Sequence, residues 1–412
     1  MNKTGGHRRV VVTGIGMVTP LGIGKRQFSE RLFRGDSGIE AIAAFDTSRL
    51  SSHLGAEIKT FNPLDFLSAK NARRMDRLSR LTAASARLAV EDAQLIIHSQ
   101  NRDRVGIIFG TAYGPTDLKI RCTEILLTEG PSRVNPTLVP NSVLNAPAGH
   151  ASLELGFRGV NTTVTHQGAS GETALVYAAM ELHRGTMDVV LAGGADILSD
   201  FFFESLVRFR AVSPVDGQEE KARPFDVRRN GPVAGEGCGI LCLESLEHAI
   251  KRGAIPYCEM TGWGMSSSPA SPVGWPQNGK GIVLAMKRAL RRARLRPSDI
   301  DTIQGAGNGG VLADAIETEA LMDLFGPTSG GPTVSSVKGA LGESFSSGGV
   351  RAAALALSIQ AGKVPPTLGL ENPIVHFPFT MEQLKEMDIR HGLLNTVSSG
   401  GTNVSITMSR LE

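Results

Sequence analysis

The sequence predicts an α/β fold built from two copies of one βαβ unit, and three observations carry that prediction. Short segments recur along the chain. Met260-Thr261-Gly262-Trp263-Gly264-Met265 echoes Val12-Thr13-Gly14-Ile15-Gly16-Met17, and Val397-Ser398-Ser399-Gly400-Gly401-Thr402 echoes Val190-Leu191-Ala192-Gly193-Gly194-Ala195. A third echo sets Pro332-Thr333-Val334-Ser335-Ser336-Val337 and the run from Val350 to Leu357 against Thr162-Thr163-Val164-Thr165 and the segment after it. Within each copy, β-branched runs alternate with segments of helical periodicity, the pattern of a mostly parallel sheet covered by helices. The composition agrees: 48 glycines in 412 residues, with only 5% aromatics, suit closely packed layers joined by many turns. The repeat divides the chain into residues 1–258 and 259–412, the first copy carrying the more inserted material.

Taken in order, the polar start gives way to a buried-strand signal at Val10 to Val12 that ends at Thr13-Gly14, and Pro20-Leu21-Gly22 opens a turn. From Tyr113 to Asn141 the chain reads as irregular; its second half, Thr128 to Asn141, is dense in turn formers and too long for a hairpin. Asn161 to Thr165 reads as a strand that turns through His166-Gln167-Gly168-Ala169-Ser170-Gly171 into a helix, with positions 174/175, 178/179 and 182 on one apolar stripe. Such an elbow presents one side chain beside the positive end of a helix, which suits a nucleophile. This one offers glycine, alanine and a serine, and no cysteine. Ser170 reads as an N-cap, with His166 as the nearest base should it act as a nucleophile instead. His150 reads as a hydrogen-bonded core residue.

The formal charge of +3, with both signs interspersed, argues against nucleic-acid binding, and the basic cluster from Lys287 to Arg296 reads as a solvated helix face. Cys122, Cys238, Cys242 and Cys258 form no CxxC pair and imply a reduced compartment. No apolar run approaches the ~18 residues of a membrane span. The N-terminus lacks a signal-peptide core, so a cytoplasmic protein is expected.

A set of motifs spread over nearly the whole chain resembles the β-ketoacyl synthases of type II fatty-acid and polyketide pathways, within the thiolase-like superfamily. They are Arg9-Val10-Val11-Val12-Thr13-Gly14, Ala148-Gly149-His150, Leu191-Ala192-Gly193-Gly194-Ala195, Ala222-Arg223-Pro224-Phe225-Asp226, Val364-Pro365-Pro366-Thr367 and Gly400-Gly401-Thr402-Asn403. The resemblance implies a thiolase-like α-β-α-β-α layering. It also implies a cysteine and two histidines, which join an acyl thioester to a decarboxylated malonyl unit. Counted from Ser170-Gly171, the cysteine position falls on Gly168; counted from Asp314 and from Lys338, the histidine positions fall on Ala306 and Glu343. None of the three can do the family's chemistry. Asn308 stands in the stretch where threonines contact a pantetheine arm, and Ser399 where an aromatic gate is common. Lys338, Asp314 and Glu317 match a buried charged network, read as structural.

Gln167 adds a further resemblance, to chain length factors, ketosynthase-like subunits in which glutamine replaces the cysteine. Here it lies one position before Gly168, and either residue can occupy the apex. The resemblance therefore implies a non-catalytic subunit that pairs with an active ketosynthase, meets an acyl carrier protein through the complex, and needs no metal or cofactor. Gln167, Ser170, Asn308, Lys338 and Ser399 would line its pocket, and Pro136, Thr137 and Leu138 would lie on the interface loop. Two alternatives stay open: an enzyme repurposed around Ser170 or Glu343, and a homodimer that binds an acyl carrier or a lipid-like ligand.

Overall fold

The computed structural model describes residues 8–215, 217–326 and 330–411. In chain order, the elements that matter here begin with strand β1 (Val10–Thr19), helix α1 (Arg77–Asp92), β2 (Val105–Gly110) and α2 (Thr116–Thr128). Next come β3 (Asn161–Val164), α3 (Ser170–Arg184), β4 (Val189–Asp196), α4 (Asp200–Arg208) and β5 (Gly237–Ser245). The second half adds β6 (Cys258–Ser267), α5 (Lys280–Ala293), β7 (Thr302–Gln304), α6 (Val311–Phe325), β8 (Thr333–Ser335), α7 (Gly348–Ala361), β9 (His391–Val397) and β10 (Thr402–Ser409).

The strands form one mixed sheet in the order β8-β7-β9-β10-β6-β1-β5-β4-β2-β3, with Gly22–Ile23 folded back on β1. The duplication is visible in it. Outward from the central antiparallel pair β1 and β6, each half runs antiparallel, antiparallel, parallel, parallel. Helices α3 and α7 pack against each other and against strands of the sheet, forming a middle layer, while α1 covers one half from outside and α5 with α6 the other. This is the layered thiolase-like α/β fold. Side-chain alternation explains the layering: Val105, Ile107 and Phe109 join the outer core with Leu78 and Leu81, whereas Ile108 joins the central core with Leu175 and Val176. The division at residues 258 and 259 falls one residue inside β6.

The first echo has a packing cause. A Cβ on Gly14 would sit 2.1 Å from the Ala89 carbonyl oxygen and one on Gly16 1.8 Å from that of Ser85, so α1 lies directly on β1. Gly262 and Gly264 stand in the same relation to Ala289 and Ala285 of α5, at 2.4 and 2.0 Å. Each copy also shifts register at the threonine before its first glycine, Thr13 or Thr261. The second echo does not hold: Gly193 and Gly194 pair with β5 inside β4, whereas Gly400 and Gly401 form the turn between β9 and β10, at φ 77° and 83°. Glycine serves close packing in one and a left-handed turn in the other. The third echo places β3 and α3 against β8 and α7.

The middle layer holds a fully buried ion pair. Arg351 on α7 meets Glu172 on α3 at 2.6 Å with both side chains fully buried, and it also donates to the Gln304 and Asn395 carbonyls and to Thr396 Oγ1. Gly171 and Gly348 let the two helix starts touch, since a Cβ on Gly348 would lie 2.3 Å from the Glu172 nitrogen. The stretch expected to be irregular is instead largely helical: α2 is followed by helical turns at Pro131–Arg133 and Leu138–Asn141. Helix α2 buries no residue. The face of α5 bearing Lys287, Arg288 and Arg291 is solvated, and Arg292 stacks over Trp263 at 4.2 Å. Cys238, Cys242 and Cys258 are buried, and burial pushes their thiols up, the first two to about 12. Among the described residues no helix is long and apolar enough to cross a membrane.

Candidate functional site

The elbow begins where β3 runs out. Gln167 takes a left-handed backbone at φ 52°, a strained conformation for a residue with a side chain. Ser170 holds that turn: its hydroxyl accepts from the His166 amide at 2.8 Å and donates to the Gln167 carbonyl at 2.7 Å. Ser170 is thus the first residue of α3 rather than its N-cap, which is Ala169. It is fully buried and does not line the cavity, contrary to its expected place in the pocket. His166 Nδ1 lies 3.3 Å from Thr173 Oγ1, so no Ser170–His166 dyad forms.

In front of the elbow opens a cavity of about 720 Å3. Gln167, Gly168, Ala306, Asn308, Lys338, Glu343 and Ser399 all line it. The three positions that the ketosynthase pattern assigns to nucleophile and histidines, from three distant parts of the chain, therefore share one chamber. At Gly168 there is room for a side chain, because a Cβ there would meet nothing nearer than Ser398 Oγ at 3.6 Å. Phe202, Leu206, Phe209, Trp275, Val311 and Leu312 supply apolar walls, and Phe209, Val273 and Leu312 remain exposed at the rim.

Carboxylates fix the loop that carries Ala306 and Asn308. Asp314 accepts from the amides of Phe225 (2.7 Å), Asn308 (2.9 Å) and Gly309 (3.1 Å), and Glu317 accepts from the Ala306 amide (2.8 Å) and Asn395 Nδ2 (2.7 Å). Burial dominates for both, lifting Asp314 to about 6 and raising Glu317, against the amide bonds that favour the charged forms. Within the charged network, the Lys338 charge acts on Glu317, favouring its ionised form, without a direct ion pair to Asp314 or Glu317. The partner of Lys338 is Glu343, at 2.6 Å, because the turn after Lys338–Leu341 brings residue 343 back over the ammonium group. Asn308 Nδ2 (2.6 Å) and the Phe345 amide (2.9 Å) complete the shell around that carboxylate.

Two features had no sequence signal. Asp196, at the end of β4, is fully enclosed and accepts from Thr111 Oγ1 (2.8 Å) and the amides of Ala112, Tyr113 and Ser346, tying two loops to the strand end; burial raises its pKa. Above it Tyr113, Phe202 and Phe345 cluster with centroids 4.3 to 5.5 Å apart, and Phe345 is held at φ 53°. Burial, with Asp196 and Glu343 nearby, pushes the Tyr113 hydroxyl up to about 12. Gly193-Gly194-Ala195 before Asp196 signals only the repeat and the family resemblance. His150 bonds Asn141 Oδ1 at 2.8 Å, half-buried and away from the cavity lining. Among the described residues no group of three or more His, Cys, Asp or Glu side chains could hold a metal ion.

An elbow at the start of a middle-layer helix, facing loops from the duplicated half across a deep chamber, defines a condensing-enzyme scaffold. The sequence matches the model described as "Beta-ketoacyl synthase, N-terminal domain" over residues 7–249 and "Beta-ketoacyl synthase, C-terminal domain" over 257–371. The chain belongs to the β-ketoacyl synthase family. It is 33% identical over 410 residues to a 3-oxoacyl-[acyl-carrier-protein] synthase 2 of Synechocystis sp., covering 98% of this chain and 99% of the relative, and 32% identical to one of Staphylococcus aureus with the same coverage. Among solved structures it resembles "The ishigamide ketosynthase/chain length factor", with a TM-score of 0.92 and 30% identity over 99% of this chain and 100% of that one. A β-ketoacyl synthase from Burkholderia phymatum is similar, with a TM-score of 0.90 and 27% identity over 98% and 100%.

Proposed function

We propose that this chain is a non-catalytic ketosynthase-like subunit, a chain length factor, which pairs with an active β-ketoacyl synthase and shapes the acyl cavity of a type II polyketide or polyene system. The observation that carries the reading is the chamber itself: Gly168, Ala306 and Glu343 surround it, so no thiol or imidazole stands where the condensation needs one. Glycine cannot form a thioester and alanine cannot move a proton. Glu343, the remaining candidate base, is ion-paired with Lys338 and held by two further donors. A carboxylate there would also repel a developing enolate.

The surface supports a partner. Strand β3 is the outer edge of the sheet, with Asn161 and Thr162 exposed, and an open edge is a template for pairing. Beside it in sequence, the excursion from α2 through Pro136, Thr137 and Leu138 exposes Leu127, Val139 and Val143, an apolar investment that makes sense when covered. An acyl carrier protein would reach this subunit through the complex. Co-purification with a ketosynthase that has the full Cys-His-His set tests the reading. Native mass measurement should find a 1:1 complex that condenses acyl and malonyl carrier substrates, while the single chain does not. Turnover by the single chain at a rate comparable with that ketosynthase would overturn it.

A further inference from the structure

The inner end of the cavity contains an anion seat that the chain fills itself. Lys338 Nζ and Asn308 Nδ2, each at 2.6 Å, and the Phe345 amide at 2.9 Å all donate to the Glu343 carboxylate. One cation and one neutral donor on one carboxylate oxygen, with a second neutral donor on the other, are what a bound carboxylate requires. Lys338 and Glu343 are each 7% exposed, so neither charge relaxes into bulk water. The acids Glu317 and Asp314 lie behind the same loop and add no positive charge. A second carboxylate brought to this end would find no uncompensated cation and would be buried at high cost.

We propose that Glu343 acts as a built-in carboxylate ligand, so that the cavity accepts a linear apolar molecule with an uncharged polar head and rejects the same chain ending in a carboxylate. The neutral groups needed for such a head are present. Gln167 and Tyr113 line the cavity, and among the described residues neither the Gln167 amide nor the Tyr113 hydroxyl has a hydrogen-bond partner. Both can donate and accept, as an amide or hydroxyl head requires. The apolar walls from Phe202 to Leu312 take the chain and lead it to the exposed rim. Arg210 at that rim is solvated, and pairing with it is screened. Selection by charge thus rests on Glu343. It concerns the isolated chain and is independent of any partner.

Calorimetric titration of the full chain with octanamide and octanoate at pH 8 tests this, since the two ligands differ only in the charged head. Wild type should prefer octanamide by at least about tenfold, and Glu343→Ala, which frees Lys338 and Asn308, should reverse the order. Glu343→Gln keeps the shape and should narrow the preference; it decides the matter if thermal unfolding shows that the alanine variant does not fold. Equal affinity of wild type for both ligands, no binding of octanamide, or an unchanged preference in the folded variants would overturn the proposal. Each of these results leaves the formation of a ketosynthase complex untouched, so the two readings fail separately.

Discussion

The seam between α3 and α7 and the chamber in front of the elbow lie within a few residues of each other, yet they answer to different constraints. The seam is built from contacts that tolerate no change of volume or charge: glycines where backbones touch, and an arginine and a glutamate buried together. The chamber wall includes positions whose side chains the neighbouring packing does not fix. Ala306 is placed through its backbone amide, Gly168 has space around it, and Glu343 makes a new ion pair with a lysine that the scaffold already supplies. Folding therefore constrains the seam more tightly than the chamber wall. On the proposed reading, this is how an architecture could persist without the family's chemistry.

The contrast can be broken most severely at the seam. Arg351→Met leaves Glu172 without its ion-pair partner in the core and should cost about 3–5 kcal/mol in denaturant unfolding. Gly348→Ala forces a methyl against the Glu172 backbone and should cost about 1–3 kcal/mol by the same measurement. Asp314, beneath the chamber, sharpens the comparison through pH. Its carboxyl sits above its unfolded value, so the stability it contributes is full below about 4 and is lost as pH rises through about 6. Wild type should accordingly gain stability relative to Asp314→Asn as pH falls from 7 to 4. A pH-independent difference between the two would contradict the assignment. At the chamber wall Ser399→Phe should change stability by under about 1 kcal/mol while reducing the space available to ligand, read as weaker octanamide binding. A large stability loss there would show that the wall is as constrained as the seam.

Much of this division was legible in the residues, and for a physical reason. Thr13-Gly14 and Thr261-Gly262 recur because each copy must lay a helix directly on a strand, a demand that only glycine meets. The positions of Gly168, Ala306 and Glu343 could be counted from motifs because those motifs fix loop lengths, and the loops do converge on one cavity. What escaped were choices made by tertiary contact. Gly400-Gly401 imitated Gly193-Gly194 in composition while serving a turn. Lys338 chose Glu343 over the more distant acids because a turn of the chain returns there. Ser170 was spent on holding Gln167 in its left-handed state, which no periodicity could reveal. Helix α2 carries no buried face, so its sequence lacked the amphipathic contrast that marks a helix against a core.

The account stands on the claim that this chain takes no acyl group onto itself. Intact-protein mass spectrometry after incubation with an acyl carrier thioester tests that claim most directly, run on the chain alone and again in complex with a ketosynthase bearing the full Cys-His-His set. The prediction is an unchanged mass for this subunit in both samples, with any acyl adduct on the partner. An acyl adduct on this chain, mapped by peptide fragmentation to a residue of the elbow or the chamber, would contradict it.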